Sequence, residues 1–246
     1  QTCALPILPL PPPAADARSR EFPLRLHADL GSERLLERAV LAEVPLLSSG
    51  YGGALAASNL TGQATTWGGV ADLAAQVTLT NDANRLTVTV TVQDDVVVPA
   101  DGPPRGDGIE LYLDLRPDGQ RGAPVWSDQC LALMVGLGAD GAATVTGLAG
   151  EPLAPPDLLA APGWWTMTAL GYRLEVTLSR AALDAVAGTR VTDLGFDLMI
   201  DDNDGGWRAH QMVLFGGTQN YVNPRRWAVW RLNAPVEPDT WHRTIF

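Results

Sequence analysis

The strongest constraint on the fold is an alternation of apolar and polar residues, with a period of two, between two turn sequences. The apolar positions are Ile109, Leu111, Leu113 and Leu115, and the polar positions are Glu110, Tyr112 and Asp114. Successive residues of a strand point to opposite faces of a sheet, so this pattern predicts a half-buried strand. Glycine, proline and aspartate residues at 106–108 and 117–119 bound it. We expect a central strand of a β-sandwich, whose polar face is either a binding surface or a solvated face.

Similar alternations recur along the chain with turn residues between them. They predict strands at 76–80, 86–92, 131–137, 143–148, 164–168, 172–178, 194–200, 207–215 and 227–232. One short helix is expected at 180–187, where Ser179 can cap its start and Gly188 can end it. The order of elements predicts an all-β, antiparallel β-sandwich with at most one short helix.

The beginning and end of the chain lack such regular patterns. Residues 1–7 resemble the translation of a common sequencing-adapter oligonucleotide, and 8–20 are rich in proline and alanine, so 1–20 is expected to be an adapter-like segment and linker. The natural N-terminus, including any signal peptide, is then expected to be missing. Residues 21–49 fit either a hairpin that closes a truncated upstream domain or an N-terminal extension with a helix capped by Ser32. The β-sandwich is expected at 50–232 and a tail at 233–246.

Charge argues against two classes of partner. All 17 basic residues are arginine, and 28 acidic residues bring the net charge to -11. This balance repels nucleic acid and anionic membranes. No apolar run reaches the length of about 18 residues that a membrane helix needs. Cys130 lies in an apolar run, which favours a small buried side chain over a reactive thiol.

Seven motifs occur in an order that resembles a family 9 carbohydrate-binding module, in the wider DOMON-like group. They are Trp67 after residues 60–62, and the segments 72–79, 92–95, 106–114, 171–176, 195–204 and 227–232. The resemblance covers about residues 55–232. It implies a jelly-roll-like sandwich that binds sugar chain ends between two tryptophans, often with structural calcium. It also implies a domain of a multidomain hydrolase that is secreted, at the cell surface or periplasmic.

Four tryptophans beside proline, glycine or aspartate are candidates for sugar stacking: Trp126, Trp164, Trp165 and Trp207. Glu110 and Arg173 are the candidate polar ligand-binding residues. The alternative for each tryptophan is core packing or loop anchoring, since tryptophan is buried on average. Trp227 and Trp230 are expected to be structural. Residues 96–105, where one stacking ring is expected, contain no aromatic residue. An alternative function is therefore a structural or interaction domain that has lost the sugar site.

Acidic residues at two strand ends are candidates for a metal site. Asp201, Asp202 and Asp204 lie in a loop that ends in two glycines, and Asp94 and Asp95 follow another strand. Clustered carboxylate oxygens are the ligands that calcium prefers, so structural calcium is the expected cofactor. The alternative is a solvated turn.

No pattern indicates catalysis. Glu110 and Asp114 would lie roughly 13 Å apart along a strand, which exceeds the separation of a glycosidase acid/base pair. A pairing of Glu110 with Glu175 across the sheet is possible, although a hydrogen-bonded pairing with Arg173 or another arginine is favoured. The three histidines form no Ser/His/Asp pattern, and Met199 and His210 carry no haem-ligand motif. We therefore expect a glycan-binding domain that is not an enzyme and holds no haem, with any catalytic domain upstream.

Overall fold

The computed structural model describes residues 19–22, 39–43, 46–47, 50–61, 65–100, 102–103, 105–153, 155–217 and 219–232. The chain divides into two compact units, Gln1–Leu46 and Leu47–Phe246. In the first unit, strand β1 (Ser19–Phe22) pairs antiparallel with strand β2 (Ala39–Glu43). The adapter-like residues 1–7, the helix expected after Ser32 and the tail 233–246 lie outside the described residues.

The second unit contains two sheets that enclose a shared core. The strands that follow β2 in the chain are β3 (Leu46–Leu47), β4 (Tyr51–Leu55), β5 (Leu73–Asn81), β6 (Arg85–Asp94), β7 (Gly108–Asp114), β8 (Cys130–Leu137), β9 (Ala143–Gly147), β10 (Leu159–Thr168), β11 (Gly171–Ser179), β12 (Asp193–Asp202), β13 (His210–Val213) and β14 (Ala228–Arg231). The five-stranded sheet has the order β10-β11-β6-β5-β4. The seven-stranded sheet has the order β3-β14-β12-β7-β8-β9, with β13 also paired to β12. The predicted all-β sandwich is confirmed, with β7 in the interior of its sheet.

One α-helix, α1 (Arg180–Ala187), occurs among the described residues. Ser179 Oγ accepts a hydrogen bond from the Ala182 backbone N–H at 3.3 Å, and Gly188 ends the helix with a left-handed φ of 68°. These are the capping roles predicted from the sequence. Four 3₁₀ turns complete the local structure: Ala57–Asn59, Ala139–Gly141, Leu148–Gly150 and Pro224–Arg226. No helix of the described residues is long and apolar enough to cross a membrane.

The core follows from the period-two pattern of the facing strands. Alternate residues of β6 and of β12 are fully buried: Leu86, Val88, Val90 and Val92 from the first, and Leu194, Phe196, Leu198 and Ile200 from the second. Both rows belong to one apolar cluster with residues of β7, β8 and β11. Burial of this apolar surface stabilises the sandwich.

The polar face of β7 is mostly covered, which corrects the expectation of a solvated face at Tyr112 and Asp114. Tyr112 is fully buried in a second apolar cluster with Met199, Val213 and Trp227. Asp114 is also buried and forms a two-contact ion pair with Arg116, at 2.8 Å from Nε and 2.7 Å from Nη2. Glu110 is the one side chain of this polar row in β7 that stays partly accessible.

Three expected boundaries also change. β10 begins at Leu159 and so extends the strand expected at 164–168 toward the N-terminus, which places Trp164 and Trp165 in its interior. β13 begins at His210, which leaves Trp207 in the preceding loop. β12 extends to Asp202, so the acidic loop begins at Asn203.

Candidate functional site

An open groove with a volume of about 1370 Å³ lies on the outer face of the seven-stranded sheet. Its floor is a row of neighbouring side chains from three strands: Glu110 of β7, Met134 of β8 and Thr146 of β9. Trp165, Arg208 and the loop around Pro99, Pro103 and Arg105 also line it. The groove therefore combines apolar surface with charged and hydroxyl groups.

A network of polar side chains holds the charged part of the groove floor. Arg208 Nη1 donates to Asp201 Oδ1 at 2.6 Å and lies 3.4 Å from Glu110 Oε1. Gln211 Nε2 donates to the same two oxygens at 2.9 and 3.4 Å. The Tyr112 hydroxyl donates to the other Glu110 oxygen. Glu110 is thus paired with an arginine, Arg208. The sequence favoured such a pairing with an arginine over a pairing of Glu110 with Glu175.

The protonation of Glu110 follows from this environment. Its pKa is raised to about 8, chiefly by burial and next by the nearby Asp201 carboxylate, whereas Tyr112 and Arg208 lower it. Burial also raises the pKa of Asp201, although the Arg208 charge opposes that shift. A raised pKa leaves Glu110 protonated at neutral pH, and the groove floor then carries little net charge.

The four candidate tryptophans have different environments. Trp165 lines the groove, and its indole N–H donates to the Gly138 carbonyl at 2.8 Å. Trp207 directly precedes Arg208 in the chain but is not a groove-lining residue. It is 69% exposed, the highest value among the large apolar side chains of the described residues. Trp126 packs edge-on against Trp227 at a ring-centroid distance of 5.8 Å, which matches the anchoring alternative.

Trp164 and Arg173 lie on the five-stranded sheet and do not line the groove. The Arg173 guanidinium lies 5.6 Å from the centre of the Trp164 ring, and the Trp164 indole N–H donates to Glu175 at 3.3 Å. Glu175 lies in the same five-stranded sheet and Glu110 in the seven-stranded sheet. These two carboxylates therefore do not pair across one sheet.

A group of three buried carboxylates, the inner acidic group, lies at one end of the sandwich. It consists of Asp94, Asp107 and Asp202, whose carboxylate oxygens lie within 4.8 Å of one another. Asp94 continues the inward row of β6, and Asp202 continues the inward row of β12. Asp107 accepts from the Val98 and Asn203 backbone N–H groups at 2.6 and 2.7 Å.

The inner acidic group has the electrostatics of a cation site. Asp94 Oδ2 and Asp202 Oδ1 are buried and have no hydrogen-bond partner within the described part of the chain. Burial is the main cause that raises the pKa of Asp107 to about 8 and that of Asp202 to about 7, and it also raises the pKa of Asp94. Clustered carboxylates with unpaired oxygens fit a calcium ion.

Two further groups involve Asp204. One contains Asp94, Asp95 and Asp204, and the other, the histidine group, contains Asp72, Asp202, Asp204 and His210. Among the candidate metal ligands, Asp94, Asp95, Asp202 and Asp204 therefore approach one another. Asp201 points to the opposite face of the sheet, where it binds Arg208.

The sequence did not identify five residues as members of these polar groups: Asp72, Asp107, His210, Arg208 and Gln211. The sequence does indicate that Asp94 and Asp202 point inward, because each continues the alternate positions that the buried apolar residues of its strand occupy. Asp107, Arg208 and His210 lie in turns or at a short strand, where a sequence carries no equivalent signal.

Comparisons with known proteins identify relatives of this chain. The family model described as "Carbohydrate family 9 binding domain-like" matches residues 54–234. A carbohydrate-binding module of family 9 from Caldicellulosiruptor kristjanssonii, solved with cellotriose, aligns with a TM-score of 0.54 and 18% identity over 81% of this chain and 98% of that chain. A family 9 module from the same organism, solved with glucose, aligns with a TM-score of 0.51 and 22% identity over 67% and 79%. A comparison with curated proteins gave no match.

The two solved structures support the β-sandwich fold. Their sequence identities to this chain, 22% and 18%, are too low to support more than the fold. The family model covers well over half of the chain. The chain therefore belongs to the carbohydrate family 9 binding domain-like family.

Proposed function

We propose that this chain is a non-catalytic carbohydrate-binding module that holds sugar in the groove of the seven-stranded sheet. The observation that carries the proposal is the groove itself, which Glu110, Arg208 and Trp165 line together. Trp207, the residue before Arg208 in the chain, is exposed. Two structural relatives were solved with glucose and with cellotriose, which supports sugar as the class of ligand.

The groove offers sugar the two kinds of contact that it needs. Arg208 donates hydrogen bonds to hydroxyl oxygens, and a protonated Glu110 both donates and accepts. Because Asp201 and Gln211 hold Arg208 and Glu110 in place, little side-chain freedom is lost on binding. The apolar C–H faces of a sugar ring pack on Trp165 or Trp207. A nearly neutral floor favours neutral over acidic sugars.

We further propose calcium as a structural cofactor at the inner acidic group. Asp94, Asp107 and Asp202 would hold the ion, which would neutralise three carboxylates that are otherwise buried together. Asp107 also binds the backbone of two loops, including the one that borders the groove. Calcium would thus stabilise the sugar site without contacting sugar.

The proposed context is a secreted, cell-surface or periplasmic protein with further domains, including one upstream of residue 50. A second candidate function is a structural or interaction domain that has lost sugar binding. One observation favours it: the loop at the groove contributes Pro99, Pro103 and Arg105 and no aromatic ring.

Calorimetric titration with glucose and cellotriose tests the sugar site, together with retardation in gels that contain soluble polysaccharide. We expect binding in the wild type and a loss of about thirtyfold in affinity for Trp207→Ala. This corresponds to about 2 kcal/mol for uncovering about half the area that a tryptophan buries. Arg208→Ala should weaken binding by at least about tenfold, as expected for a lost charge-assisted hydrogen bond.

Trp164→Ala is the matched control, because Trp164 is an exposed tryptophan on the other sheet. It should bind sugar like the wild type. Absence of binding to every glucan and to a wider glycan array would leave the structural or interaction function. Turnover of aryl glycosides that disappears in Glu110→Gln would contradict a non-catalytic role.

Thermal denaturation with calcium and with EDTA tests the cofactor. Calcium at a hundredfold excess over its Kd should stabilise the fold by about 2.7 kcal/mol. EDTA should reverse the shift, and Asp107→Asn, which among the described groups changes a ligand of the inner acidic group alone, should lack it. An identical melting temperature in millimolar calcium and in EDTA would argue that no calcium binds.

A further inference from the structure

The histidine group brings a nitrogen ligand and three carboxylates together at the end of the sandwich. One ligand atom from each of Asp72, Asp202, Asp204 and His210 lies within 4.8 Å of the others. His210 Nδ1 lies 2.9 Å from Asp202 Oδ2 and 3.8 Å from Asp72 Oδ2. Ligands at adjacent positions around an ion with bonds of about 2.1 Å are about 3.0 to 3.4 Å apart. The observed distances bracket that range.

Contacts around the group orient the imidazole for metal binding. His210 is 4% exposed, and its Nε2 lies 3.0 Å from Thr66 Oγ1. In the tautomer with a proton on Nε2, that N–H donates to Thr66 and the Nδ1 lone pair points at the carboxylates. Such a partner on the second ring nitrogen is the usual arrangement of a metal-binding histidine.

The carboxylates are also held in position. Asp72 accepts from the Gly68 backbone N–H, and it immediately precedes β5. Asp202 is the last residue of β12 and His210 the first of β13, and the two are directly paired. Asp202 Oδ1 is buried without a hydrogen-bond partner among the described residues, so this carboxylate has an oxygen available for a cation.

The donor set indicates which cation binds. Calcium prefers oxygen ligands alone, whereas an imidazole nitrogen favours a transition metal such as zinc or cobalt. We propose that His210, Asp72, Asp202 and Asp204 form a binding site for a divalent transition-metal ion, distinct from the all-oxygen inner acidic group. Asp202 belongs to both groups, and a carboxylate can bridge two ions through its two oxygens. The proposal does not depend on sugar binding.

Titration of the metal-free protein with Co²⁺ in excess calcium tests the site, with visible ligand-field absorption as the readout. We expect one equivalent of Co²⁺ to give bands that indicate a nitrogen and oxygen ligand set, and Zn²⁺ to abolish them. The absence of bands from the wild type in excess calcium would overturn the proposal.

Variants separate this site from the inner acidic group. His210→Gln and Asp72→Asn should lose the bands, whereas Asp94→Asn, a control that belongs to the inner acidic group and not to the histidine group, should keep them. Thr66→Val keeps all four ligands and should weaken Co²⁺ binding by about tenfold to a hundredfold. If circular dichroism shows that His210→Gln does not fold, the Co²⁺ affinities of Asp72→Asn and Thr66→Val decide whether the histidine group binds the metal. Unchanged Co²⁺ affinity in both of these would refute the assignment.

Discussion

Replacement of Glu110 by glutamine should remove a large pH dependence of stability. Glu110 keeps a pKa of about 8 in the folded protein, against its ordinary value of 4.5. The folded state therefore binds a proton more tightly than the unfolded state between these two values. Stability that Glu110 contributes is fully present below pH 4.5 and is lost as the pH rises through 8.

The size of the effect follows from the shift. Loss of stability approaches about 1.4 kcal/mol per pH unit in this window, and about 5 kcal/mol in total is the upper limit. Glutamine mimics the protonated acid, since its oxygen can accept from Tyr112 and its amide can donate to Asp201. Glu110→Gln should then be close to the wild type in stability at pH 5.

Urea denaturation at intervals between pH 5 and 8.5 measures the difference. Asp107, Asp197 and Asp202 also have raised pKa values. Both proteins should therefore lose stability as the pH rises, and only the difference between them reports Glu110. We expect Glu110→Gln to become the more stable protein, by about 2.7 kcal/mol relative to the wild type over two pH units. Parallel curves for the two proteins would refute the reasoning.

Three further predictions concern the fold. Ser179→Ala removes the cap of α1 and should cost about 1 kcal/mol in urea denaturation, whereas Ser179→Asp should restore most of it. Gly108→Ala places a Cβ against the Val135 carbonyl oxygen of β8 and should cost about 3 kcal/mol or more; a wild-type melting temperature would contradict this contact. Burial raises the pKa of the Cys130 thiol, so in a Cys3→Ser background it should react slowly with Ellman's reagent until urea unfolds the protein. Fast reaction of the folded protein would show that the thiol is accessible.

Local patterns in the sequence were sufficient to predict most strands, the helix and the all-β fold class. Alternation predicted β6, β7, β11 and β12, because the period of two is a property of a single strand. Ser179 and Gly188 predicted both ends of α1, because capping uses backbone groups within a few residues. The order of motifs was also sufficient for the family.

The tertiary structure decided which of these residues could act together. Alternation assigns a side chain to one face of a strand, but it does not say what covers that face. Tyr112 and Asp114 were therefore indistinguishable from Glu110 until Trp227 and Arg116 were seen to bury them. Trp164 and Trp165 likewise differ by one position, which sends one ring outward and the other toward the groove.

The candidate site depends on contacts between residues that are far apart in the chain. Glu110 meets Arg208, and Asp94 meets Asp107 and Asp202, only after the two sheets pack and the loops close over their ends. The sequence by itself determined strands, helix ends and inward positions, since these depend on neighbouring residues. Only the tertiary structure decided the partners of each carboxylate, since the relative placement of two sheets and their loops is set by packing across the whole sandwich.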